Sequence, residues 1–82
     1  MKFFELILSE RRGENCYEGI HKRFIKAKNR DNAYNKSLIV AANFYNNYKG
    51  ATTGIPDKDM IFYFNNNFYA IWINSLKELE VI

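Results

Sequence analysis

The first residues of the chain alternate in the two-residue period that is typical of a β-strand. One set of positions holds Phe4, Leu6 and Leu8, and the other holds Phe3, Glu5 and Ile7. Because successive side chains of a strand point to opposite faces of a sheet, residues 2–9 are predicted to form a first strand. Residues 10–17 are polar around Gly13, which predicts a loop or loose hairpin turn before a second strand over 19–28.

From Asn29 the apolar residues recur at intervals of three and four, the spacing of an α-helix. The stripe consists of Ala33, Ser37, Val40, Ala41, Phe44 and Tyr48. Asn29 or Asp31 can cap the first turn, and Gly50 is suited to end the helix in a left-handed conformation. A helix of about 18 residues, roughly 27 Å long, is therefore predicted.

The last third of the chain predicts a loop, a hairpin and a short helix. Residues 50–59 contain two glycines and a proline, a pattern typical of a loop. Strands over 60–64 and 68–74 flank three asparagines, which tolerate the positive φ of a tight turn. Ser75 and Glu78 fit a capping box, which predicts a short C-terminal helix.

This order of elements predicts a single α+β domain over residues 1–82. Its core would be a small four-stranded antiparallel sheet of β-β-α-β-β order, followed by the short C-terminal helix, with the main helix packed on one face. A chain of 82 residues is short for a domain, so we expect marginal stability.

Both faces of the predicted sheet are apolar, although one helix can cover only one of them. Three coverings can hide the second face: the C-terminal helix, curling of the sheet, or another polypeptide chain. The third predicts a partner-binding surface, for which a homodimer is the simplest arrangement. The residues predicted to form this surface are Phe3, Ile7, Phe24, Tyr63 and Trp72.

A basic stretch over residues 11–30 carries a net charge of +5, while the whole chain carries +3. Its basic residues are Arg11, Arg12, Lys22, Arg23, Lys26, Lys28 and Arg30. Such a stretch is suited to an acidic protein surface or to phosphate. Because Phe24 lies between two lysines and aromatic rings stack on bases, the alternative hypothesis is a module that binds single-stranded DNA or RNA.

Groups for catalysis or metal binding are sparse in the sequence. His21 is the single histidine and Cys16 the single cysteine, and their spacing matches no recognised metal site. Nucleophilic catalysis also needs an orienting group and an oxyanion site, and neither is identifiable. We therefore expect a protein that is not an enzyme and that binds no metal or cofactor. Because a single cysteine forms no internal disulfide, we expect it in the cytoplasm. No segment is apolar enough over a sufficient length to cross a membrane, so we expect no membrane segment.

The segment 24–33 is similar to the strand-to-helix junction of small accessory proteins from phages, plasmids and integrative elements, although it identifies no family. Half of the residues are Asn, Lys, Ile, Tyr or Phe, which A+T-rich codons encode. These features predict a viral or mobile-element protein. The leading hypothesis is a non-enzymatic protein-interaction module that binds and inhibits a host factor, for example a defence or CRISPR component.

Overall fold

One antiparallel sheet and one helix form an α+β arrangement in this computed structural model, which describes residues 1–46 and 53–80. The elements are β1 (Lys2–Arg12), β2 (Asn15–Ala27), α1 (Arg30–Ala42), β3 (Ile55–Pro56), β4 (Phe62–Phe64) and β5 (Tyr69–Leu79). Across the sheet the strands follow the order β2-β1-β5-β4-β3. The first two strands form a hairpin, and β5 returns to pair with β1.

The hairpin of β1 and β2 is longer than predicted, because most of residues 10–17 belong to the strands. Glu10 pairs with Tyr17, and Arg12 pairs with Asn15. Only a two-residue loop remains, and its first residue, Gly13, has a φ of +60°. A glycine at this position is what a two-residue hairpin turn of the II′ type requires. The predicted loop is therefore a tight turn.

The helix begins where the sequence predicts and is shorter than expected. The Asn29 side chain caps it by accepting a hydrogen bond of 2.8 Å from the Asn32 amide, which confirms the predicted N-cap. It has 13 residues and is followed by Asn43, whose backbone amide donates to the Ile39 carbonyl. Tyr48 and Gly50, the predicted last residue of the stripe and the predicted C-terminal residue, lie outside the described residues.

The prediction of a C-terminal helix is wrong, because residues 75–79 continue β5. Ser75 pairs with Ile7 and Leu76 with Leu6, so the backbone is part of the sheet. Leu76 is also buried in the core. A capping box describes only local preferences, and pairing with β1 together with burial of Leu76 outweighs them.

The prediction of four strands is also wrong, since the sheet has five. The additional strand is β3, in which Ile55 pairs with Tyr63 and Pro56 with Phe62. Pro56 is tolerated because β3 lies at the edge of the sheet, where one side of the backbone needs no strand partner. The turn between β4 and β5 agrees with its prediction, because Asn65, Asn66 and Asn67 all have positive φ.

The core lies between α1 and one face of the sheet. The predicted inward residues of β1 are completely buried, and β2 and β5 add further apolar side chains; the set is Phe4, Leu6, Leu8, Ile25, Ala27, Ile71 and Leu76. On the helix the buried residues are small, Ala33, Ser37 and Ala41, as the stripe predicts. Small residues let the helix approach the sheet closely, so α1 fully occupies this face where it lies.

Gly54 has no space for a side chain. A Cβ at this position would lie 2.5 Å from Cζ of Phe64, which belongs to the core. We predict that Gly54→Ala lowers the free energy of unfolding by about 1–3 kcal/mol, the usual effect of overpacking a core. Urea denaturation measures the change.

The double variant Gly54→Ala/Phe64→Leu provides the control, because a smaller residue at position 64 restores space. We expect it to lose less stability than the sum of the two single variants. Strict additivity would contradict the steric explanation.

Candidate functional site

The face of the sheet away from α1, here called the back face, brings together three of the five residues predicted to bind a partner. On β1 this face carries Phe3, Glu5 and Ile7. The register of β2 places Lys26 beside Phe3, Phe24 beside Glu5, and Lys22 beside Ile7. These strands therefore form a continuous surface, and we call Phe3, Ile7, Phe24, Lys22 and Lys26 the back-face patch.

The patch exposes large apolar side chains on the two strands at one edge of the sheet, β2 and β1. Phe24 is 65% exposed and Phe3 is 40% exposed, while Ile7 is half-buried between them. Ile25 and Ala27, the neighbours of Phe24 on the same strand, are buried beneath the helix. The apolar residues of β2 therefore divide between the core and the open face.

The patch is basic around its apolar residues. The Lys22 ammonium lies 3.6 Å from the Glu5 carboxylate. The Lys26 ammonium lies 5.8 Å from the centre of the Phe3 ring, within the range of a cation–π contact. Lys77 of β5 pairs with Glu5 from the other side. Three lysines therefore surround one glutamate on this part of the back face.

Tyr63 and Trp72, the other two predicted residues, lie towards the opposite end of the sheet. The Tyr63 hydroxyl donates a hydrogen bond of 3.0 Å to Asp57, and this bond raises the Tyr63 pKa. The Arg11 guanidinium lies 5.9 Å from the Tyr63 ring centre. Trp72 is half-buried and lines an edge cavity of about 290 Å³ with Tyr34 and Ile61. The structure therefore separates these two residues from the back-face patch.

The backbone of β2 covers Ser9 of β1. A bulge in β2 places Gly19, with a φ of +63°, beside Ile7 and Asn74. The Gly19 amide donates a hydrogen bond of 2.9 Å to the Ser9 hydroxyl, and Ser9 is completely buried. The β2 bulge thus covers Ser9 and leaves the region of Phe3 and Phe24 open.

The basic residues predicted to bind nucleic acid do not form a single surface. Four arginines contact their own chain: Arg11 binds the Asn67 carbonyl, Arg12 binds Glu10, Arg23 binds the Lys22 carbonyl, and Arg30 binds the Leu76 carbonyl. Arg12 and Arg23 lie on strand positions opposite in face to Lys22 and Lys26. Lys28 is exposed just beyond β2. Lys22 and Lys26 are therefore the only two of the seven on the patch.

A buried carboxylate forms the polar centre of the helix face. Glu10 is 1% exposed and follows Leu8 on the core side of β1. Its Oε1 accepts hydrogen bonds of 3.0 Å from Arg12 and 3.0 Å from the His21 Nε2, while its Oε2 accepts one from the Tyr45 hydroxyl. The Phe44 ring packs 4.5 Å from the His21 ring. This cluster fastens the turn after α1 to the sheet.

The Glu10 carboxyl is held in its ionised form. Burial by itself raises its pKa, but the hydrogen bonds from Arg12, Tyr45 and His21 outweigh burial and leave the pKa below its usual value. In return, burial and the bond to Glu10 raise the Tyr45 pKa. The cluster is not among the predicted sites, although the sequence carries one sign of it: Glu10 continues the alternating positions of Phe4, Leu6 and Leu8.

His21 and Cys16 occupy different faces of the hairpin. His21 pairs with Leu8 on the helix side, whereas Cys16 pairs with Arg11 and is exposed. In residues 1–46 and 53–80, no three His, Cys, Asp or Glu side chains are grouped so as to hold a metal ion. Among the same residues, no helix is long and apolar enough to cross a membrane.

Comparison with known proteins found no matching family model, no similar curated protein and no similar solved structure.

The Glu10 cluster predicts a dependence of stability on pH. Because the folded-state pKa of Glu10 is lowered, its contribution is complete above the unfolded-state pKa, about 4.3, and is lost as the pH falls through the folded-state value. We expect Glu10→Gln to lower the free energy of unfolding by about 1–3 kcal/mol at pH 7. Urea denaturation at pH 7 and at successive values below pH 5 measures both effects.

The matched control is Glu14→Gln, at the exposed tip of the same hairpin. Asp57 also has a lowered pKa, so the comparison of each variant with the wild type isolates the part due to Glu10. The destabilisation caused by Glu10→Gln should shrink towards low pH. An equal effect at all pH values, or an equal effect of Glu14→Gln, would contradict this role.

Proposed function

We propose that this chain is a small, non-enzymatic protein-interaction module that binds an acidic protein surface through the back-face patch. The observation that supports the proposal best is the exposure of Phe24. This ring is 65% exposed on a regular strand, with Lys22 and Lys26 two residues to either side. Exposed aromatic residues bordered by polar groups are typical of protein-binding surfaces.

The size of the patch determines the kind of contact that it can support. Burial of a large apolar side chain contributes about 1.5–3 kcal/mol, so Phe3, Ile7 and Phe24 together do not exceed the estimated cost of association by much. Tight binding therefore needs further contacts around the patch. The lysines add attraction to an acidic partner and accelerate the encounter more than they increase affinity.

The charge of the patch favours a different protein over a second copy of this chain. In a symmetric dimer built on this face, Lys22, Lys26 and Lys77 of both copies would share one interface around only two copies of Glu5. Like charges in such an interface are unfavourable unless each finds a partner. The homodimer is thus the less favoured version of the interaction.

Occlusion is the mechanism that fits this module. A protein that covers a functional surface of a host factor inhibits it without a catalytic group, a metal or a cofactor. We accordingly retain the hypothesis of a viral or mobile-element inhibitor of a host component. The cytoplasm is its proposed compartment, since Cys16 is an exposed free thiol, which suits a reducing environment.

Single-stranded nucleic acid is the second candidate ligand, favoured by the position of Phe24 between two lysines on one exposed strand face. A base could stack on Phe24 in place of an apolar side chain of a protein partner, and phosphates could bind Lys22 and Lys26 in place of the partner's carboxylates. This candidate is weaker than the first, because four of the seven predicted arginines and lysines already bind groups of their own chain.

The variants Phe24→Ala and Ile39→Ala test the proposed site as a matched pair. Phe24 is 65% exposed on the patch, and Ile39 is 63% exposed on α1. After the partner has been purified from the native host, calorimetry measures its affinity for each variant. We predict that Phe24→Ala weakens binding roughly tenfold or more, the effect expected for an interface hot spot, and that Ile39→Ala leaves it unchanged.

Charge reversal of Lys22 and Lys26 to Glu, measured with the same partner and with an oligo-dT strand, separates the two candidate ligands. Loss of partner binding without measurable oligo-dT binding in low salt supports the protein ligand. Tight, salt-sensitive binding of oligo-dT that the reversal abolishes would support nucleic acid instead. Equal partner affinity in Phe24→Ala and the wild type would refute the proposed site.

A further inference from the structure

The outer edge of β2 is a long stretch of backbone that pairs with no strand formed by residues 1–46 or 53–80. β2 is the first strand in the sheet order, so its 13 residues pair with β1 on one side only. The Lys36 ammonium, outside the sheet, lies 2.7 Å from the Lys26 carbonyl. The Lys26 backbone groups therefore point outward. In an antiparallel ladder outward groups recur every second residue, so those of Phe24 and Lys22 point outward as well.

These outward-pointing residues are also the β2 members of the back-face patch. Lys22, Phe24 and Lys26 alternate along the strand on the open face, opposite the buried Ile25 and Ala27. A strand laid along this edge would place every second side chain on the back face, beside one of these three residues. The edge and the patch therefore form one binding surface.

On the basis of the proposed function, we infer that the partner adds an extended acidic segment to the edge of β2 as a sixth strand of the sheet. An apolar side chain of this segment would lie beside Phe24, and carboxylates would lie beside Lys22 and Lys26. The required pattern is therefore an acidic, an apolar and an acidic residue at alternating positions. Strand addition of this kind obtains affinity from the main chain and specificity from alternate side chains.

Charge selects this occupant over a second copy. Two β2 edges placed together would bring Lys22, Lys26 and their neighbours Arg23 and Lys28 against the same residues. Lysines along an edge strand are a common protection against such self-pairing. An acidic segment turns the same residues into attractive partners.

Two outward carbonyls of β2 are already bound by cations. The Arg23 guanidinium lies 2.8 Å from the Lys22 carbonyl, and Lys36 binds the Lys26 carbonyl. An incoming strand must displace both cations from these oxygens. A segment with carboxylates gives the displaced cations new partners, whereas a neutral segment does not. These contacts therefore favour an acidic strand over a neutral one.

A synthetic peptide tests the inference on the full chain. The probe is acetyl-Thr-Glu-Thr-Val-Thr-Glu-Thr-amide at millimolar concentration, and the control peptide has Lys in place of both Glu residues. Amide hydrogen exchange, followed by NMR, reports which backbone groups gain a partner. We expect slower exchange at Lys22, Phe24 and Lys26 with the acidic peptide only. His21 and Arg23, whose amides face β1, should not change.

The variants Lys22→Pro and Lys22→Ala separate backbone pairing from side-chain contact. Both remove the ammonium, but only proline also removes the outward N–H, at an edge position where proline is tolerated. We expect the proline variant to bind the acidic peptide roughly 2- to 12-fold more weakly than the alanine variant, the effect of one hydrogen bond. Thermal unfolding of each variant verifies that the sheet is intact.

If the folded Lys22→Pro and Lys22→Ala variants bound the acidic peptide equally well, strand addition would be overturned. Peptide contacts at Phe24 without slower amide exchange in β2 would overturn it too, and both results would indicate side-chain docking on the patch. Absence of any peptide effect at millimolar concentration would overturn it as well. The proposed function fails separately, through equal affinity of the natural partner for Phe24→Ala and the wild type.

Discussion

The helix α1 is much shorter than the strands on which it packs, and it lies on one face of the sheet. The 13 residues of α1 span about 20 Å, whereas the 13 residues of β2 span about 43 Å. The helix therefore covers about half the length of one face, and the back face receives no helix from the described residues. Its small buried residues, Ala33, Ser37 and Ala41, let it lie close to Phe4 and Leu6, so the core is thin and fully packed at one end. The polar cluster lies beyond the end of α1 on the same face of the sheet, and the back-face patch lies on the face that α1 does not cover.

Two regions of the sheet are not covered by α1: the part of the helix side beyond the end of α1, and the back face. On the helix face, Phe44 and Tyr45 of the turn after α1 extend the cover, and Glu10 holds them through Tyr45 and His21. Since a buried carboxylate is costly without partners, each oxygen of Glu10 accepts at least one hydrogen bond. On the back face, the β2 bulge at Gly19 covers Ser9, but nothing in the described residues lies over Phe24. The Glu10 contacts stabilise the fold, whereas the exposed region around Phe24 is a surface that suits a partner.

The sequence predicted those features that depend on local pattern. The alternation of Phe4, Leu6 and Leu8, the Asn29 cap and the three turn asparagines all agree with the structure, and so does the position of Phe24 between lysines on an open face. Features that depend on distant pairing were not predictable in the same way. Ser75 and Glu78 resemble a helix start until β1 is placed beside them, and the two residues of β3 form a strand only through β4. Likewise, no local pattern shows that Tyr63 binds Asp57 at the far end of the sheet, or that the arginines bind carbonyls of their own chain.

The proposed binding of a partner through the back face is open to direct measurement. Site-specific photo-crosslinking in native host cells tests it most directly, with the reactive residue at position 24 in one protein and at position 39 in the other. The two positions are almost equally exposed, at 65% and 63%, so accessibility alone does not distinguish them. Binding through the back face predicts one discrete crosslinked protein from position 24 and none from position 39. Identical crosslinks from both positions, or a discrete product only from position 39, would contradict it.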